Sequence, residues 1–153
     1  MRASGTKRHQ KVWFAVLLLY SAIIYSHSMQ PAVQSSKESR FVLKTASGFM
    51  DQIGIENGWL TEHIVRKTAH FVEYAGMGLL LFANLCNLPD KRERLLTGML
   101  AVVFIPFIDE TIQLFASGRA AMVQDVWLDI SGAVFGLTAA KAWLLLLKVR
   151  RRH

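Results

Sequence analysis

The sequence contains one cysteine, Cys86. A single thiol cannot close an intramolecular disulfide or build a cysteine metal cluster. It lies in an apolar stretch and reads as a small buried side chain. Acidic residues are also few, 11 against 18 lysines and arginines, for a formal charge of +7. An excess of that sign can mark a nucleic-acid-binding protein. Here the basic residues sit at the ends of apolar runs, as anchors do, so no nucleic-acid partner is expected. No repeat and no low-complexity linker divides the 153 residues, which read as one domain. Familiar catalytic signatures are missing too: there is no His-Glu-x-x-His, no Gly-x-Ser-x-Gly and no phosphate-cradling glycine-rich loop.

What the chain has in quantity is apolar sequence. Hydrophobic residues make up 52% and come in blocks, which points to a membrane protein rather than a soluble core. Val12 to about Tyr25 is the first block. No small-x-small cleavage site follows it, so it reads as a retained transmembrane helix rather than a signal peptide. The second runs from about Glu62 to Asn87 after a plausible cap at Thr61. The third covers Leu95 to about Phe115 with Pro106 inside, and the fourth about Asp125 to Leu147. Between the first two, Phe41, Val42, Ala46, Phe49, Met50 and Ile53 recur at helical spacing. That pattern fits an amphipathic helix over Ser35 to about Ile53, lying on the membrane surface or packed on the bundle.

The expected fold is therefore all-α: an integral membrane four-helix bundle with a short amphipathic extracytoplasmic helix between helices 1 and 2. Residues 12–147 form the membrane domain. Residues 1–11 form a basic cytoplasmic N-terminus and 148–153 a basic cytoplasmic tail. The orientation rests on Lys and Arg, which concentrate at both termini and in Lys91, Arg92 and Arg94. Trp13 and Trp143 fall at the inner boundary and Trp59 and Trp127 at the outer one. The bacterial cytoplasmic membrane, crossed several times, is the expected location.

Polar residues inside the apolar runs gather at one depth. Arg66, Lys67, His70, Glu73 and Tyr74 open the second helix. Asp109, Glu110 and Gln113 end the third on an arc of about 100°. Asp125 and Asp129 open the fourth, and their face continues through Gly132 and Gly136, where another helix can approach closely. Ser26, Ser28 and Gln30 mark the end of the first helix, and Arg119 lies in the last loop. A charge at the centre of a membrane helix costs roughly 2.5–3.5 kcal/mol on insertion scales. Such groups normally face a protein interior or a watery cavity. A structural polar network is the plain reading. Acid–base chemistry in a shared outer pocket is the sharper one. His70 with Glu73, Asp109 or Asp129 also offers nitrogen and oxygen ligands for a divalent cation, whose identity stays open.

Taken in order, Arg66-Lys67-x-x-His70-Phe71-x-Glu73-Tyr74, Asp109-Glu110-x-x-Gln113, and Gly118-Arg119 followed by Asp125-x-x-x-Asp129-x-x-Gly132 resemble the VanZ family over about Val12 to Leu147. One departure is Asp129-Ile130-Ser131, where that family often carries an asparagine. The resemblance implies a link to low-level teicoplanin tolerance. It also implies a remote kinship with enzymes that exchange or remove lipid head groups, such as phosphatidylserine synthases.

The leading expectation is an enzyme acting on a membrane lipid or lipid-linked envelope substrate at the outer leaflet. His70, Glu73, Asp109, Glu110, Gln113 and Asp125 are the candidate catalytic residues. Arg66, Lys67, Tyr74, Arg119, Asp129 and Ser26 are the candidate substrate-binding residues, with the arginines suited to a phosphate. The alternatives are a non-catalytic protein that binds a glycopeptide or cell-wall lipid, and a small transporter subunit. A transporter would carry its ionisable groups nearer the midplane and show an internal repeat.

Overall fold

The computed structural model describes residues 2–120 and 122–151, with side chains from His9 onward. The expected contributions of Arg2, Lys7, Arg8 and Arg152 to the basic ends lie outside the described side chains. The regular structure of the described residues is helical: α1 (Arg2–Ser28), α2 (Ala32–Gln52), α3 (Glu62–Leu85), α4 (Lys91–Gln113) and α5 (Val123–Arg150). α1 begins well before the apolar run at Val12, because lysine, arginine and glutamine are good helix formers.

Side chains in the loops set the helix boundaries. The Thr61 hydroxyl accepts the Ile64 N–H at 3.3 Å and starts α3. Asp90 accepts the Glu93 N–H at 3.1 Å and starts α4. Gly54, at φ 72°, lets the chain turn out of α2. Cys86 corrects its expected burial. It caps α3 just past the last packed turn and is exposed.

Among the described residues, three helices are long and apolar enough to cross a membrane: His9–Ser28, Lys91–Gln113 and Val123–Arg150. α3 is not among them, because Glu62, Arg66, Lys67, His70 and Glu73 crowd its first half. It is instead the helix that touches all the others. Its Tyr74, Met77 and Leu81 form the core with Leu17, Ile24, Val102 and Ala133. Large apolar side chains on the outward faces of α1, α4 and α5, including Phe14, Phe104, Phe107, Phe135 and Trp143, stay uncovered. That is how helices facing hydrocarbon rather than water are built.

The tightest contact is the α3/α5 seam, where the two helices run in the same direction. A Cβ on Gly132 would lie 2.5 Å from the Phe71 carbonyl oxygen. One on Gly136 would strike the Ala75 carbonyl, and one on Gly78 the Ala133 carbonyl. Glycine at these positions lets backbone meet backbone, as the spacing of Gly132 and Gly136 predicts. α2 packs differently. Ser39 is buried against α3, and Ser36 accepts a hydrogen bond from Arg66 at 3.2 Å. Phe41, Val42, Phe49 and Ile53 on α2 are exposed. The helix thus docks by a serine edge and leaves its apolar face free.

Candidate functional site

At one end of the molecule α1 and α4 finish while α3 and α5 begin. The glycine seam sets the register there. With Phe71 against Gly132, the preceding turn of each helix brings His70 beside Asp129. The His70 Nδ1 to Asp129 Oδ1 distance is 3.6 Å, too long for a hydrogen bond. Asp109 reaches the same place from α4, one turn beyond the buried Pro106. One donor atom from each of His70, Asp109 and Asp129 lies within 4.8 Å of the others. Asp109 and Asp129 are both 0% exposed. Gln113 Nε2 reaches Asp109 Oδ2 only at 3.5 Å. The Tyr74 hydroxyl, at Asp109's side, closes no hydrogen bond, and neither do Asp109 Oδ1, either oxygen of Asp129 or His70 Nδ1.

Glu73 takes another direction. Residues three apart on a helix differ by about 60° around its axis, enough to reach different neighbours. The Glu73 Oε1 meets His27 Nδ1 of α1 at 2.9 Å. The Tyr20 hydroxyl donates to the Glu73 carbonyl at 3.1 Å and fixes this turn against α1. Lys67 pairs with Asp125 at 3.1 Å. Arg66 donates to Glu62 at 2.6 Å, one turn back on its own helix.

Two cavities adjoin these groups. The larger, about 540 Å³, is lined by His27, Glu73, His70, Arg66 and Arg119, with Val42, Leu60, Val65 and Val72 as its apolar wall. The smaller, about 240 Å³, includes Lys67, Gln113, Asp125 and Met122. Ser35, Arg66, His70 and Arg119 line both and stand between them. Burial first, and then the nearby Arg66 charge, hold Arg119 below the ordinary guanidinium range, while Asp109, Glu110 and Glu38 pull the other way.

His70, Asp109, Asp129, Gln113 and Tyr74 are therefore brought together, with Arg66, Arg119, Lys67, Asp125 and Glu73 around the adjoining cavities. Two expected members make other contacts. Ser26 is exposed, and its hydroxyl bonds the Ile23 carbonyl at 2.7 Å. It sits about 100° around α1 from His27, which faces Glu73 instead. Glu110 accepts the Met122 N–H at 2.6 Å and so anchors the start of α5. Ser131 is likewise exposed and bonds its own helix. His27 escapes the sequence reading, and Ser28, noted there at the end of the first helix, is not among its site residues. Ser28 is 1% exposed and lies beside Asp109. The signal that could have found them is polarity in the last turn of an otherwise apolar helix.

Imidazole and carboxylates in one buried cluster can move protons or hold a cation, and two guanidinium groups facing one space suit an anion. No curated protein and no solved structure matches this chain. The model of one protein family, VanZ/LLP1, matches residues 12–146, nearly all of the sequence, and the chain belongs to that family.

Proposed function

We propose that the protein acts on the phosphodiester head group of a membrane lipid, or of a lipid-linked envelope intermediate, at the outer leaflet of the bacterial cytoplasmic membrane. α3 serves as the fourth spanning helix, its charged half enclosed by the others. Both termini lie in the cytoplasm, as the Lys and Arg distribution supports. The lipid-facing apolar face of α2, with Phe41 and Phe49, seats that helix at the interface.

The observation that carries this reading is the larger cavity. It joins two arginines and a His–Glu pair to a wall of valine and leucine. A polar end and an apolar wall in one space fit an amphiphile whose head is anionic. Arg66 and Arg119 hold the phosphate oxygens. Glu73, paired with His27, or His70 takes the proton from a water or alcohol hydroxyl. That oxygen bonds to phosphorus, the bond from phosphorus to the leaving alcohol breaks, and the alcohol takes up the proton. The product is a hydrolysed or exchanged head group.

The test is lipid mass spectrometry of cells with and without the protein, repeated with Glu73→Gln. A head-group change that disappears in Glu73→Gln, at unchanged membrane abundance, is expected. An unchanged lipid profile together with altered teicoplanin tolerance would replace the enzyme with a non-catalytic binder. Labelling of Ser117→Cys by an impermeant reagent, in a Cys86→Ala background, checks the side. It should succeed in intact cells, and labelling of Asp90→Cys instead would invert the orientation.

A further inference from the structure

The buried cluster behind the cavity wall poses a separate problem. Two aspartates, both 0% exposed, come from different helices and sit close together. Among the described residues no lysine or arginine lies within 4.0 Å of either carboxylate. The nearby cations turn toward other groups: Lys67 lies 3.1 Å from Asp125, Arg66 lies 2.6 Å from Glu62, and Arg119 lines the two cavities. An ionised carboxylate buried without a partner is costly. Two side by side cost more.

A charged His70 could neutralise one of them. At 3.6 Å it still leaves both oxygens of Asp129 and Oδ1 of Asp109 without a hydrogen bond. A shared proton would likewise satisfy one oxygen and leave the rest. One partner that meets all three side chains at once is a cation placed between them.

We infer that His70, Asp109 and Asp129 hold one divalent metal ion. Three atoms no more than 4.8 Å apart share a centre at most about 2.8 Å from each, and ligand distances near 2.0–2.2 Å follow from small side-chain rotations. One imidazole nitrogen with two carboxylates is a mixed set. It suits Zn²⁺ or Mn²⁺ better than Cu⁺, which needs sulfur, or Ca²⁺, which takes six or more oxygens. Three protein ligands leave coordination positions open, as in sites where a metal meets water or substrate. The ligands stand on rigid supports. The glycine seam fixes His70 against Asp129, and Gln113, Tyr74 and Ser28 surround Asp109. His70 also lines both cavities, so the ion would border the space assigned to the head group.

As a cofactor for head-group chemistry the ion rests on the function proposed above. As a binding site it does not, and the experiment keeps the two apart. Full-length protein is purified in detergent and its metal content measured by plasma mass spectrometry. The stripped protein is then titrated with Mn²⁺ alone, with loss of the free Mn²⁺ resonance as the readout, and with Zn²⁺ alone. One site per chain is expected in the wild type and in Glu93→Gln, at the opposite end of α4. At least a tenfold weaker site is expected in Asp129→Asn and Asp109→Asn. Should an aspartate variant fail to fold, His70→Gln and the wild-type stoichiometry carry the decision. A wild type that binds neither ion, or a site left unchanged in Asp129→Asn or His70→Gln, overturns the assignment. A bound ion with no lipid change leaves the metal centre standing and removes the head-group reading.

Discussion

From Phe71 to Gly78, α3 meets α5 through bare backbone, with glycine on one side and a carbonyl on the other. From Lys67 to His70 it meets the same helix through an ion pair and a cluster of unbonded polar atoms. The two regions are about one helical turn apart and obey different rules. In the seam shape decides everything. At the polar end buried polar atoms meet without closing hydrogen bonds to one another. The second region is tolerable because the first holds it. A close-packed seam supplies a fixed register, and the polar cluster inherits precision from it.

Three substitutions can break or sharpen this contrast. The largest effect belongs to the seam. Gly136→Val drives a branched side chain into the Ala75 carbonyl, which the helix cannot move aside. Overpacking costs typically about 1–3 kcal/mol even in forgiving cores, and backbone is the least forgiving neighbour. Most of the folded protein should be lost on size exclusion in detergent. A well-folded Gly136→Val would mean that the seam does not set the register.

A change of opposite sign is expected one turn away. The Tyr74 hydroxyl is buried and unbonded, a condition worth roughly 1–3 kcal/mol against folding. Tyr74→Phe should leave stability unchanged or raise it by about 1 kcal/mol, read as a thermal midpoint that holds or climbs. If activity falls meanwhile, the hydroxyl serves the site rather than the fold. A clear loss of stability would show that the group has a partner and that the cluster is less strained than its hydrogen bonds imply.

The smallest effect belongs to Lys67→Gln. The Lys67–Asp125 pair is short, at 3.1 Å, but both side chains are partly exposed, 32% and 25%. Such pairs contribute about 0–1 kcal/mol. Urea or thermal midpoints should barely move. A large loss would place this pair with the seam.

Much of this contrast can be read in the amino-acid order. The apolar runs, the Thr61 cap and the glycines of α5 declare themselves by spacing alone, because helix geometry maps sequence directly onto faces. The gathering of His70, Asp109 and Asp129 follows from the same logic applied to three helices. What periodicity does not carry is the rotation of one helix against another. A difference of about 60° sends His70 to α5 and Glu73 to α1. A step of about 100° puts His27, not Ser26, opposite Glu73. Glu110 is adjacent to Asp109 in sequence, yet it turns to the Met122 backbone, a role visible only once the loop is in place. Cys86 sits in apolar sequence but past the last packed turn, and hydropathy does not mark where packing stops.

The Ala32 N–H donates to the Ser117 carbonyl at 3.0 Å, and Gly118, at φ 75°, lies against the Ala32 side chain. This main-chain bond links the start of α2 to the loop between α4 and α5, two segments far apart in sequence. Arg119 follows directly in that loop, its own N–H held by the Ala116 carbonyl at 3.2 Å. Loops that order only when a ligand arrives weaken association, by about 0.5–1.5 kcal/mol for each side chain immobilised. Here the backbone under Arg119 has lost its freedom during folding. For the anionic head group proposed above, only the Arg119 side chain would then have to be ordered on binding, not the backbone that carries it.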